Sequence, residues 1–172
     1  MASYKILVLN CGSSSVKWAV VDPESGETSQ QGLAERLGGQ EARVRTRPGS
    51  GEWHDTDSPG LTPEDAVAKA IELIGDAHLG GVGHRVVQGG ERFASSVLVD
   101  DEVVHGIDAL ADMAPLHNPV NLVGIRAAMK ALPDLPHVAV FDTSFHQTMP
   151  PRAYRYAVPK TWYDDLGFRR YG

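Results

Sequence analysis

Two apolar runs, Ile6-Leu-Val-Leu9 and Trp18-Ala-Val-Val21, flank the polar stretch Asn10-Cys-Gly-Ser-Ser-Ser-Val-Lys17. The pattern predicts a strand, a tight turn and a second strand, fixing an antiparallel pair within the first two dozen residues. The turn also carries chemistry. Gly12 lets backbone approach an anion, Ser13, Ser14 and Ser15 offer hydroxyls, and Lys17 adds a point charge. Such a turn suits a nucleotide phosphate, and its residues fit an ordinary Ser/Gly hairpin equally well. It is not a Walker A loop, because G-x-x-x-x-G-K-[ST] is absent and no helix pattern follows.

At 172 residues the chain can bury one real core, which matches one domain over 1–172. A formal net charge of −6 and the lack of a Lys/Arg cluster interleaved with aromatics exclude a nucleic-acid track. A small anionic substrate then needs locally placed cations, which singles out Lys17 and Arg85. The lone Cys11 cannot form an internal disulfide and fits a reducing compartment as a structural thiol. Four apolar residues before it are too few for a lipoprotein signal, and no segment reaches transmembrane length. The chain reads as soluble and cytoplasmic, with no membrane partner. Seven histidines without H-E-x-x-H or Cys/His spacing argue against structural zinc.

Residues 4–9, 16–22 and 28–34 read as a meander, and the Gly-, Pro- and Arg-rich stretch 38–60 as an irregular or edge insertion with a short strand candidate at 42–46. Thr62-Pro-Glu-Asp65 opens a helix that stops at Gly75. Strands at 82–87 and near 96–99, a helix over 101–112, a helix from Asn118-Pro119 to Pro133 and a strand at 137–141 follow. Strands first, then alternation, predict an α/β domain with a mixed sheet flanked by helices.

Arg85 lies inside an apolar strand pattern, where a charge needs a cleft or a partner carboxylate. Asp142 leaves the strand ending at Phe141, where open α/β sheets present functional groups; an Asx turn with Thr143-Ser144 fits the same residues.

Five blocks, in order, resemble the acetate kinase family of the sugar kinase, Hsp70 and actin superfamily. They are the Asn10–Lys17 turn, Gly83-His-Arg-Val-Val87 with Gly89-Gly-Glu91, Ala114-Pro-Leu-His-Asn-Pro119, Val140-Phe-Asp-Thr-Ser-Phe-His-Gln-Thr-Met-Pro150, and Arg169-Arg-Tyr-Gly172. The resemblance implies an actin-like, ribonuclease H-like domain, normally present twice with the substrates in the cleft between copies. It implies the reaction ATP + acetate giving acetyl phosphate + ADP, with Mg2+. By the same resemblance Arg85 binds acetate and the transferring phosphoryl, and Asp142 is the catalytic acid/base position. Acetate is already ionised at neutral pH, so an electrostatic or metal-linked role for Asp142 is expected at least as much as proton transfer.

By the resemblance Asn10 matches the family's magnesium-linked position, Lys17 and the Gly12, Ser13 and Ser15 turn that of the ATP phosphates, and His117 that of an active-site histidine. The resemblance further implies that Val87 and Leu116 wall a small acyl pocket. Gln88 departs from the family, where many relatives carry His. The resemblance also implies a missing C-terminal half, inactivity of this half alone and a homodimer in the full-length enzyme. A propionate or butyrate kinase, a split-enzyme half and a noncatalytic phosphate-binding relic are the alternatives.

Overall fold

The computed structural model describes residues 4–75 and 77–172. β1 (Lys5–Cys11), β2 (Ser15–Val21) and β3 (Thr28–Glu35) form the expected antiparallel meander, with Leu9 opposite Trp18 and Asn10 opposite Lys17. Period-two alternation buries Leu7, Leu9 and Cys11 with Val16, Trp18 and Val20 on one face.

The stretch 38–60 is more regular than its composition implies. It extends the sheet with antiparallel β4 (Arg43–Pro48) and β5 (His54–Asp57), which form its edge. Cross-strand charge pairs hold this edge, Arg43 with Glu35 and Arg45 with Asp55, while Val44 alone on β4 reaches the core. β4 falls on the strand candidate at 42–46, whereas β5, exposed throughout and without apolar alternation, left no trace in the sequence.

α1 (Pro63–Ile74) begins as read: Thr62 Oγ1 accepts the Asp65 N–H at 3.2 Å, and Gly75 ends it with φ +58°. β6 (Leu79–Val86) lies parallel to β1, and β7 (Val97–Leu98) is a short edge strand. α2 (Asp101–Asp108), capped by Asp100, ends earlier than the apolar pattern predicted. Its continuation tightens to three-residue spacing in a 3-10 turn, Ala111–Met113, ahead of Pro115. α3 (Asn118–Ala131) leads to β8 (His137–Phe141), a 3-10 turn at Asp142–His146, and the short helices α4 (Pro151–Tyr154) and α5 (Lys160–Leu166).

The sheet order is β5-β4-β3-β2-β1-β6-β8-β7, with β1, β6 and β8 mutually parallel. α1 and α3 cover one face, packing Val67, Ala70 and Ala128 against Leu7, Leu9 and Val82. On the opposite face Val8, Arg85 and Val140 are exposed, and an apolar groove of about 480 Å³ runs along Ile6, Val8, Gly83, Val138 and Val140. None of the described helices is long and apolar enough to cross a membrane.

Candidate functional site

The carboxyl ends of three parallel strands deliver one side chain each: Asn10 from β1, Arg85 from β6 and Asp142 just past β8. Ligand sites form at such strand ends because the loops there leave a crevice. The Arg85 guanidinium forks Asp142. Its Nε donates to Oδ1 at 3.0 Å and Oδ2 at 3.1 Å, and Nη2 donates to Oδ2 at 2.6 Å. Nη1 donates to Asn10 Oδ1 at 3.3 Å. The charge in the apolar strand pattern is thereby explained, since Arg85 points to the uncovered face and finds a carboxylate there. Hydrogen bonds from Arg85 to Asp142 are the main reason its guanidinium holds its proton more tightly than usual; partial burial opposes this and the carboxylate charge adds to it.

The hairpin closes through Gly12 N–H donating to Ser15 O at 2.8 Å. That N–H is spent inside the turn, leaving the exposed Ser13 and Ser14, the half-buried Ser15 hydroxyl and the exposed Lys17 to meet an anion. Lys17 stands beside Asn10 through the strand register, so the turn and the Arg85 cluster share one face. Cys11 is buried, and burial pushes its thiol up to about 12, the state of an inert structural cysteine.

Val87 lines a cavity of about 270 Å³ with Gln88, Asp142, Thr143, His146 and Tyr171. His117 and Leu116 are exposed on the approach to α3 and lie outside that lining. Gln88 braces its own loop, where its Oε1 accepts the Gly90 N–H at 2.9 Å. The Gly89-Gly90 loop is further tied by Gly89 N–H to Thr143 Oγ1 at 2.9 Å and by Gln147 Nε2 to Gly90 O at 2.7 Å.

Several participants escaped the sequence reading. Asn118, read as part of a helix cap, makes no capping bond; it is fully buried and bonded to Gln88 and Ile107. Asn121 is buried as well. The available signal was their polarity on a helix whose neighbouring positions are Leu122 and Ile125. Behind Arg85, on the covered face, His84 Nε2 meets His137 Nδ1 at 3.0 Å, and His137 Nε2 meets Leu132 O at 3.1 Å. A carbonyl only accepts, so His137 carries its proton on Nε2 and His84 donates. Burial, and then the neighbouring His137, push His84 down to about 3, which keeps it neutral.

A metal would find hard oxygen donors in Asn10 Oδ1 and the Asp142 carboxylate. Among the described residues no group of three or more His, Cys, Asp or Glu forms a ready cage. That donor set fits Mg2+, which keeps waters and phosphate oxygens as most of its ligands.

The acetokinase family model matches residues 5–172. The acetate kinase of Deinococcus radiodurans is 53% identical over 170 residues, covering 96% of this chain and 42% of the relative. Among solved structures, a propionate kinase from Francisella tularensis superposes with a TM-score of 0.92 at 36% identity, over 98% of this chain and 44% of that one. Porphyromonas gingivalis acetate kinase does so with a TM-score of 0.90 at 39% identity, over 98% and 45%. The chain spans less than half the length of the proteins it matches.

Proposed function

Since this chain belongs to the acetokinase family, we propose that it is the N-terminal, carboxylate-side half of an acetate kinase, which transfers the γ-phosphoryl of ATP to acetate. A carboxylate oxygen of acetate attacks the γ-phosphorus, the bond from that phosphorus to the β–γ bridging oxygen breaks, and ADP leaves as acetyl phosphate forms. The observation that carries this reading is the Arg85–Asp142–Asn10 cluster at the ends of three parallel strands.

Arg85 grips anionic oxygens of acetate and of the phosphoryl in transit, a role suited to a planar fork with exposed N–H groups. Asp142 holds that fork in place. Because acetate arrives ionised, Asp142 contributes orientation and charge rather than removing a proton. Lys17 and the Ser13–Ser15 hydroxyls serve the nucleotide phosphates, Val87 and Leu116 limit the acyl end, and His117 supports binding of the substrate or phosphoryl. Asn10 and Asp142 are the residues that would hold Mg2+, which when bound neutralises phosphate charge and aligns the γ-phosphoryl.

Phosphoryl transfer depends on aligning donor and acceptor, so the carboxylate side alone is proposed to be inactive. The complete enzyme is proposed to work as a cytoplasmic homodimer, an environment that suits the buried thiol of Cys11. A propionate kinase is the second reading, favoured by the Francisella tularensis match; the same residues would serve a roomier pocket.

The test is a chimera in which residues 1–172 replace the matching part of the Deinococcus radiodurans relative. Formation of acetyl phosphate from ATP and acetate, lost by on the order of 100-fold with Arg85→Ala, is expected. A folded chimera that turns over no short carboxylate refutes the proposal. Higher kcat/KM with propionate than with acetate selects the second reading.

A further inference from the structure

β1 and β6 run as a parallel ladder as far as Leu9 opposite His84, and then part. Past that rung the side chain of Asn121 bridges the two backbones. Asn121 donates Nδ2 to Cys11 O at 2.7 Å and accepts the Val87 N–H on Oδ1 at 3.1 Å. A primary amide carries the same donor and acceptor as a peptide unit, so this side chain stands in for the missing rung.

Its neighbours on the helix make the arrangement specific. Asn118, three residues earlier, pairs with the Gln88 backbone in both directions, at 3.1 Å and 3.0 Å. Three residues later, Gly124 lets α3 lie against Cys11, since a Cβ there would fall 2.2 Å from Sγ. The first two turns of α3 are thus seated in the gap where the strands diverge.

We infer that Asn121 is a positioning residue that sets the separation between the hairpin turn and the strand end bearing Arg85. Asn10 precedes Cys11, and Arg85 lies two residues before Val87. Moving Cys11 O away from the Val87 N–H therefore moves Asn10 away from Arg85 and breaks their 3.3 Å contact. The value of this for catalysis rests on the phosphoryl-transfer reading, because it keeps the phosphate side and the carboxylate side of the cleft in register for in-line transfer.

The test is residue-resolved amide exchange on the 172-residue chain. In the wild type the Val87 amide, bonded only to a side chain, exchanges as slowly as amides of the β1–β6 ladder. Asn121→Leu keeps the branched shape and removes both bonds. Exchange across Gly12–Lys17 and at Val87 then accelerates by about tenfold or more relative to α1, with a shift of the Arg85 Nε–H resonance. Uniform acceleration in α1 and the turn alike, or none, overturns the inference by reducing Asn121 to general stability or to nothing. Asn121→Ser, which leaves room for a bridging water, gives the same local pattern more weakly if the Leu variant does not fold. A wild-type Val87 amide that exchanges like an unbonded one also overturns it. Adding acetyl phosphate to the wild type separates the two claims: no shifts at Asn10 and Arg85 refute the ligand reading, whereas the exchange pattern decides the role of Asn121 without any ligand.

Discussion

Arg85 and Asp142, 57 residues apart in the chain, meet as a forked ion pair with Nη2 and Oδ2 at 2.6 Å. Parallel pairing of β6 with β8 makes the meeting obligatory, since Val86 is registered against Phe141 and each charge lies one residue away, on either side of that rung.

Both side chains are close to half exposed, so water screens their attraction. Asp142→Asn is therefore expected to cost less than about 1 kcal/mol in urea unfolding. In the chimera the same change lowers kcat by on the order of 100-fold, because Arg85 loses its orientation. A large stability loss with unchanged turnover would make the pair structural.

His84 is held neutral in the fold at about 3, well below the ordinary histidine value near 6.5. The unfolded chain then binds the extra proton between those values, so this contribution to stability is full above about pH 6.5 and is lost as pH falls toward 3, with a slope of up to about 1.4 kcal/mol per pH unit. His84→Gln retains a donor for His137 and should flatten this part of the urea midpoint against pH. Parallel curves for wild type and variant would show that His84 does not titrate with folding.

Glu91 holds the C-terminal segment: it accepts from the Tyr163 hydroxyl at 3.0 Å and pairs with Arg169, which lies buried over the Tyr154 ring. Glu91→Ala leaves a buried cation without its carboxylate, at a cost of about 3 kcal/mol, near the low end for buried pairs because Glu91 itself is partly exposed. Trypsin should then cut after Arg155 and Lys160 faster than in the wild type, while the β-sheet circular dichroism is retained. Unchanged cleavage would mean that other contacts hold the segment.

Gly32 faces Trp18 across the β2–β3 pair, and a Cβ there would lie 2.0 Å from the Trp18 ring, which is buried. Gly32→Ala is expected at the top of the roughly 1–3 kcal/mol range for overpacking, read from the thermal midpoint. A neutral result would show that the indole has room to move.

Local chemistry made much of this structure legible. Alternation fixed β1 and β2, and Thr62, Pro63 and Gly75 fixed α1 by capping and backbone geometry. What local chemistry does not carry is pairing at long range. A strand at 42–46 was legible, but its partner β5 was not, because the Arg45–Asp55 pair that joins them looks like loop charges in sequence. Arg85, Asp142 and Asn10 stood out individually as polar residues at strand positions or strand ends, yet their union depends on sheet order. Asn121 drew no notice in the sequence, because its partners, Cys11 and Val87, lie far away along the chain.

The most direct measurement is a titration of the 172-residue chain with acetyl phosphate, followed by amide and Arg85 Nε–H resonances, beside Arg85→Ala. Saturable shifts clustered at Asn10–Lys17, Arg85 and Asp142 are predicted, with affinity about 10- to 100-fold weaker in the variant, the loss expected for charge-assisted hydrogen bonds. No shifts in the wild type, or equal affinity in a folded Arg85→Ala chain, would contradict the assignment of this cluster to the acyl and phosphoryl site.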